Sequence, residues 1–262
     1  MMSKIENIAM LYKKTSILYG LFCGGAVAPI AFAYRLNISF WIGLVIAAVI
    51  LALGTVVSYW LAGRISSGIC RTLFVELEPE RALGRFEKEV SSKNATEQSP
   101  FAALFASQAY LAMGDFKSAE QTLMAFLNKA DGDRGKINAM SCLVTVYMLA
   151  GKLELAVNAY KKVESELSGK TLTEDEKAAT ETAKYTALLA AGKAEECVDY
   201  FKAECTHQKE NFRYVTMCFR LAEAYTALGN APEAEHTYRI VAENGKNLYI
   251  AKEAAQKLTP EQ

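Results

Sequence analysis

Apolar and polar residues follow two regimes along this chain. Thr15–Tyr34 is twenty residues without a charge and Leu36–Gly63 is twenty-eight, with only Arg35 between them. A helix needs about twenty apolar residues to cross a hydrocarbon core of ~30 Å. Each run is long enough, and together they predict a membrane hairpin with spans at about 15–34 and 40–62. Beyond residue 63 charges return, and apolar residues recur at helical spacing.

Aromatic residues mark the expected interfaces. Trp41 and Trp60 are nineteen residues apart, about one hydrocarbon thickness along a helix. Two other readings of the apolar runs stand beside this one. They could be buried helices of a large soluble core, although such helices rarely run twenty residues uncharged. The first could be a signal peptide, with Lys13 and Lys14 ahead of it and Ala31-Phe32-Ala33 as a cleavage-like site. Basic residues at Lys4, Lys13, Lys14, Arg64 and Arg71 predict both ends on the cytoplasmic side, with a short outer turn around Arg35–Ile38.

Small residues recur at four-residue spacing in the spans: Gly20, Gly24 and Ala28, then Gly43 and Ala47. Such rows let helix backbones approach closely in lipid, either within the hairpin or between chains. Pro29 is expected to kink the first span. Neither span holds an ionisable side chain, so an ion or proton path has no candidate group.

The remainder carries an internal repeat. Tyr110-Gly114-Ala119-Leu123, Tyr147-Gly151-Ala156-Tyr160, Leu188-Gly192-Cys197-Phe201 and Tyr225-Gly229-Ala234-Tyr238 share one spacing, their glycines 37, 41 and 37 residues apart. Physically, the first large residue ends the stripe of a helix A and the glycine permits a tight reversal. The small residue lets helix B approach, and the next large one fills the groove a turn later. Ser99-Pro100 opens the first helix A as a cap, and Thr173 with Glu176 forms a capping box after the loop Ser168–Leu172.

These units resemble a degenerate tetratricopeptide (TPR) repeat. The resemblance rests on Ala106, Ser107, Tyr110 and Ala119, on Leu143, Tyr147, Ala156 and Tyr160, and on Leu221, Ala222, Tyr225, Ala234 and Tyr238. The third copy departs, with Lys184 and Cys197 at two motif positions; the family's early Trp and closing Pro are absent, and 37 exceeds its usual period of about 34. The resemblance implies an interaction fold that binds partners and performs no chemistry.

The expected fold is therefore all-α: a transmembrane helical hairpin followed by a TPR-like α-solenoid and a capping helix. Its parts are a tail at 1–14, the hairpin at 15–63, connecting helices with a partial repeat at 64–98, repeats at 99–245, and a cap and tail at 246–262. Pro79, Ala82 and Phe86 mark the partial helix B, whose partner would be a helix over about 65–77. Leu248, Ala251, Ala255 and Leu258 form the single stripe of the cap.

Composition narrows function further. The chain has 29 basic and 29 acidic residues, but residues 1–63 hold four and one, leaving 25 and 28 for the rest. A mildly acidic domain does not favour nucleic acid, where binding rests on neutralising phosphates. Six cysteines show no CxxC pair and read as small buried thiols, and two histidines give no zinc spacing. No phosphate loop, placed nucleophile or HExxH pair is present, so no catalytic residue, cofactor or metal is expected.

What remains is a membrane-anchored cytoplasmic scaffold or adaptor for a protein or peptide. The alternative is an assembly or quality-control subunit that associates mainly through its hairpin. The repeat register places Phe101, Leu104, Gln108, Leu111, Asn138, Thr145, Met148, Leu189, Phe219 and Glu223 on a concave groove. With apolar anchors among hydroxyls and no Lys or Arg, that groove should favour an apolar or amphipathic partner over an acidic tail. A competing reading covers part of this surface with the chain's own C-terminal helix.

Overall fold

A computed structural model describes residues 11–36, 39–92, 94–129, 135–167, 169–207 and 211–259. Lys4, the outer turn at Asn37-Ile38 and Ser168 lie outside them. Among the described residues there are thirteen helices and no strand; Tyr12 and Val90 form a lone antiparallel bridge. The chain divides into two compact units, one of residues up to Ile69 with Gly84–Ala95, the other of Cys70–Leu83 with Thr96 onward.

In the first unit, α1 (Lys13–Arg35) and α2 (Phe40–Phe74, of which Cys70–Phe74 belong to the second unit) are both long and apolar enough to cross a membrane. Their surfaces stay largely uncovered, with Leu21, Phe32, Trp41 and Trp60 all exposed, unlike helices of a soluble core. The regular path of α1 is interrupted at Ala26, one turn before Pro29, whose nitrogen has no hydrogen to donate back. Where the spans meet, Gly43 lies against the first helix. A Cβ there would fall 2.9 Å from both the Ala33 Cβ and the Pro29 carbonyl oxygen. Gly54 is packed in the same way under the Phe22 ring, and Ala47 is buried.

Gly20, Gly24 and Ala28 do not share in this packing. No atom of another segment lies within 4 Å of where a Cβ would stand on either glycine, and all three residues face outward. The first span packs instead through Phe22, Pro29 and Ala33. Nor does a new helix begin after the second span, since α2 continues unbroken to Phe74. The base of the unit is tied by Tyr12, fully buried, whose hydroxyl is 2.5 Å from that of Ser66. Ser91 N donates to Leu11 O at 2.8 Å, and Lys14 pairs with Glu89.

α3 (Pro79–Glu89) begins in the second unit and passes at Gly84 into the first, and the short α4 (Ala95–Gln98) leads back into the second unit. Four helix pairs come next: α5 (Pro100–Met113) with α6 (Phe116–Lys129), α7 (Lys136–Leu149) with α8 (Leu153–Leu167), α9 (Glu174–Ala190) with α10 (Glu195–His207), and α11 (Asn211–Ala227) with α12 (Ala231–Asn244). The repeat spacing has a direct backbone cause. Gly114, Gly151, Gly192 and Gly229 all adopt left-handed conformations, with φ between 70 and 83°, at the turn inside each pair. The small residue five positions on is buried each time, from 0% exposed at Ala119, Ala156 and Cys197 to 6% at Ala234.

Caps fix the element starts. Ser99 Oγ accepts from Ala102 N, with Pro100 at the first helical position. Thr173 Oγ1 accepts from Glu176 N at 3.3 Å, and Glu176 Oε2 accepts from Thr173 N at 2.9 Å. Each first helix packs on its partner, and α7 also packs on both α5 and α9. The C-terminal helix expected as a cap is α13 (Tyr249–Leu258). It packs on α12 and α11 but also on α5, and Tyr249 meets Phe116, the first residue of α6, edge-on at 5.2 Å. The chain's last helix therefore touches its first pair.

Candidate binding cavity

A cavity of about 380 Å³ lies among the first helices of the four pairs. Its wall is built from Leu104, Gln108 and Leu111 of α5; Asn138, Ser141, Cys142 and Thr145 of α7; Asp175, Ala178, Ala179 and Thr182 of α9; and Phe212, Arg213, Thr216 and Met217 of α11. Phe74 completes the wall. Four-residue spacing puts Asn138, Ser141/Cys142 and Thr145 on one helical face, so α7 contributes a polar row, while α5 offers Gln108 between Leu104 and Leu111.

Five of the ten expected groove residues meet there: Leu104, Gln108, Leu111, Asn138 and Thr145. The others do not. Phe101 is exposed outside the cavity, where it stacks on Phe105. Leu189 and Phe219 are 6% and 3% exposed and belong to the interior, with Phe219 edge-on to Tyr238. Met148 packs against the clusters of the second and third pairs. Glu223 accepts from Arg220 Nη1 at 2.8 Å rather than facing the cavity.

The cavity is also not free of cations. Arg213 lines it, with Nε and Nη2 both donating to Glu204 Oε2, at 3.2 and 2.8 Å. This carboxylate neutralises the guanidinium, while Asp175 in the first turn of α9 supplies an acidic edge. Behind the wall, Tyr200 stacks on Tyr185 at 4.0 Å and its hydroxyl is 2.9 Å from Thr182 Oγ1. Burial pushes the Tyr200 hydroxyl up to about 12 and the Cys142 thiol up to about 11, so both stay protonated at neutral pH.

Two polar atoms in the wall, Asn138 Oδ1 and Ser141 Oγ, are buried without a hydrogen-bond partner in the protein. A buried polar group left unpaired costs about 1–3 kcal/mol, so these atoms are poised to accept or share a donor brought by something entering the cavity. No His, Cys, Asp and Glu cluster among the described residues has the makings of a metal site. Arg213 and Cys142 are wall residues absent from the sequence-based groove; Cys142 lies one turn from Asn138 on a face included in it, whereas Arg213 lies away from Phe219 and Glu223, the residues assigned to the groove on α11.

No family model, curated protein or solved structure matches this chain.

Proposed function

We propose that the chain is a membrane-anchored, TPR-like adaptor that holds a segment of a protein partner in the cavity among α5, α7, α9 and α11. The observation carrying this reading is the pair Asn138 Oδ1 and Ser141 Oγ, buried and unpaired in a wall that also presents Leu104, Leu111, Phe212 and Met217. Apolar side chains of the partner fill the cavity and its peptide N–H groups satisfy the two oxygens. The size is that of a site for a few side chains, within the ~300–1,000 Å³ of ligand pockets generally. With Arg213 already paired and Asp175 at the edge, an acidic tail is disfavoured. On this reading the cavity faces the cytoplasm, which the basic residues flanking the apolar helices support.

The alternative, association mainly through the spans, draws on the outward-facing Gly20, Gly24 and Ala28. One experiment separates the two. A photo-crosslinking residue is placed in the full-length protein at Thr145, at Ala28, or at the exposed Leu155. Adducts to another protein from Thr145 and not from Leu155 support the adaptor. Adducts from Ala28 alone overturn it in favour of the alternative. Impermeant thiol labelling of Leu36→Cys above the parent level, with none gained at Lys252→Cys, supports the orientation; the reverse pattern overturns it.

A further inference from the structure

Cysteine spacing gave no hint of a pair, yet the fold makes one. Cys205 of α10 and Cys218 of α11 face each other with their sulfur atoms 3.1 Å apart, closer than simple van der Waals contact and about 1 Å beyond a disulfide bond. Both are free thiols. Cys218 is 2% exposed, while Cys205 and the neighbouring Tyr214 are only half-buried, which leaves the pair one approachable side. The two helices are already held together next to this point by the Glu204–Arg213 ion pair.

We propose that Cys205 and Cys218 are a modification site at which hydrogen peroxide forms an intramolecular disulfide, stapling α10 to α11 beside the cavity wall. The inference does not rest on the adaptor reading. Its chemistry balances within the pair and the oxidant. The Cys218 sulfur attacks one peroxide oxygen, the O–O bond breaks, and the departing hydroxide takes up the proton that Cys218 gave up and leaves as water, giving a sulfenic acid at Cys218. The Cys205 sulfur then attacks the Cys218 sulfur. The S–S bond forms, the S–OH bond breaks, and the departing hydroxide leaves as water with the Cys205 proton. Two thiols lose two electrons, and one peroxide is reduced to two waters.

The division of roles follows from the hydrogen bonds. Once the pair loses a proton, the charge resides on Cys218, which keeps both the Cys205 S–H and the Tyr214 O–H as donors and is held below the ordinary thiol range. Cys205, beside that charge, is pushed up. The other thiols in the repeats lack this arrangement: burial raises Cys142 and Cys197 to about 11 each, which keeps them protonated and slow to react.

The test is mass spectrometry of the full-length protein in detergent, treated with hydrogen peroxide before denaturation and alkylation. The expected result is loss of two hydrogens, protection of two thiols, and a linked peptide pair joining Cys205 to Cys218, all reversed by dithiothreitol. In Cys205→Ser the reaction should stop at a Cys218 sulfenic acid that dimedone captures. Linkage of any other pair, or oxidation that leaves Cys205 and Cys218 alkylatable, overturns the proposal; the wild-type measurement stands even if the variant does not fold.

Discussion

The ring of Phe74 stands edge-on to that of Phe212, centroids 5.4 Å apart and planes 83° apart. Phe74 ends the helix that continues from the second span, and Phe212 begins the last repeat pair. The same ring meets Phe105 at 6.4 Å, and Asn211 Nδ2 donates to the Val75 carbonyl at 2.8 Å. One aromatic residue therefore joins the first and fourth pairs. Because Phe74 is half-buried, Phe74→Ala should cost about 2 kcal/mol, at or below the range for fully buried Phe. Denaturant unfolding of the full-length protein, followed in its helical signal, measures this. A change within error of zero would mean the junction holds without the ring.

Arg220 is 1% exposed and its Nη1 rests on Glu223, so the two partners are not equivalent. Removing Glu223 leaves a buried cation unpaired, for which about 3–5 kcal/mol is typical; replacing Arg220 by an apolar side chain of similar length removes the charge itself. Glu223→Ala should thus destabilise strongly and Arg220→Met little. Equal losses in thermal melts of the two variants would contradict this asymmetry.

Gly114 and Gly151 have φ of 83 and 70° but different surroundings: a Cβ on Gly114 would run into the Tyr249 ring, whereas one on Gly151 meets nothing within 4 Å. Gly151→Ala should cost about 1 kcal/mol from backbone conformation alone. Gly114→Ala should cost more, and the excess should shrink when combined with Tyr249→Ala, because the clash is with that ring. A double-mutant cycle gives the coupling.

Asp115 caps α6, accepting from the Ser118 backbone N–H at 3.0 Å. The Ser118 hydroxyl and then this N–H hold its carboxyl below the usual carboxylate range. A depressed folded-state pKa adds stability above the unfolded value of about 3.9, and that stability is lost as pH falls through the lower folded value. Asp115→Ala should therefore cost about 1 kcal/mol at pH 7, the usual worth of a cap. The gap between variant and parent should narrow below pH 4; a gap that widens on acidification would refute the assignment.

Much of this architecture is legible in the sequence because its signals are local. A glycine that must turn left-handed and an alanine that must admit a neighbouring helix each leave one residue type at a fixed spacing, as Gly151 and Ala156 show. The two long apolar helices are legible because twenty uncharged residues have few other uses. Faces are harder to read. Gly20 and Gly24 have no side chain to mark which way they point, and only the position of the second helix reveals that Gly43 and Gly54 make the close approach. The groove was half legible for a related reason. The first helices of the pairs carry apolar residues on several sides, so spacing alone does not separate Leu104, in the cavity wall, from Phe219, in the interior. The meeting of Cys205 and Cys218 depends on how two successive helices align across a turn, which no short spacing encodes.

Contact between α13 and α5 changes what kind of array this is. In an open stack, units touch only their neighbours, so one can be gained or lost at an end and folding can fray inward from it. Here the last helix leans on the first pair, and Tyr249 occupies the space beside Gly114. The number of pairs is thereby fixed: inserting or deleting one would separate those surfaces. Loss of α13 would be felt at both ends at once, and the four pairs should unfold as a single cooperative block rather than one after another.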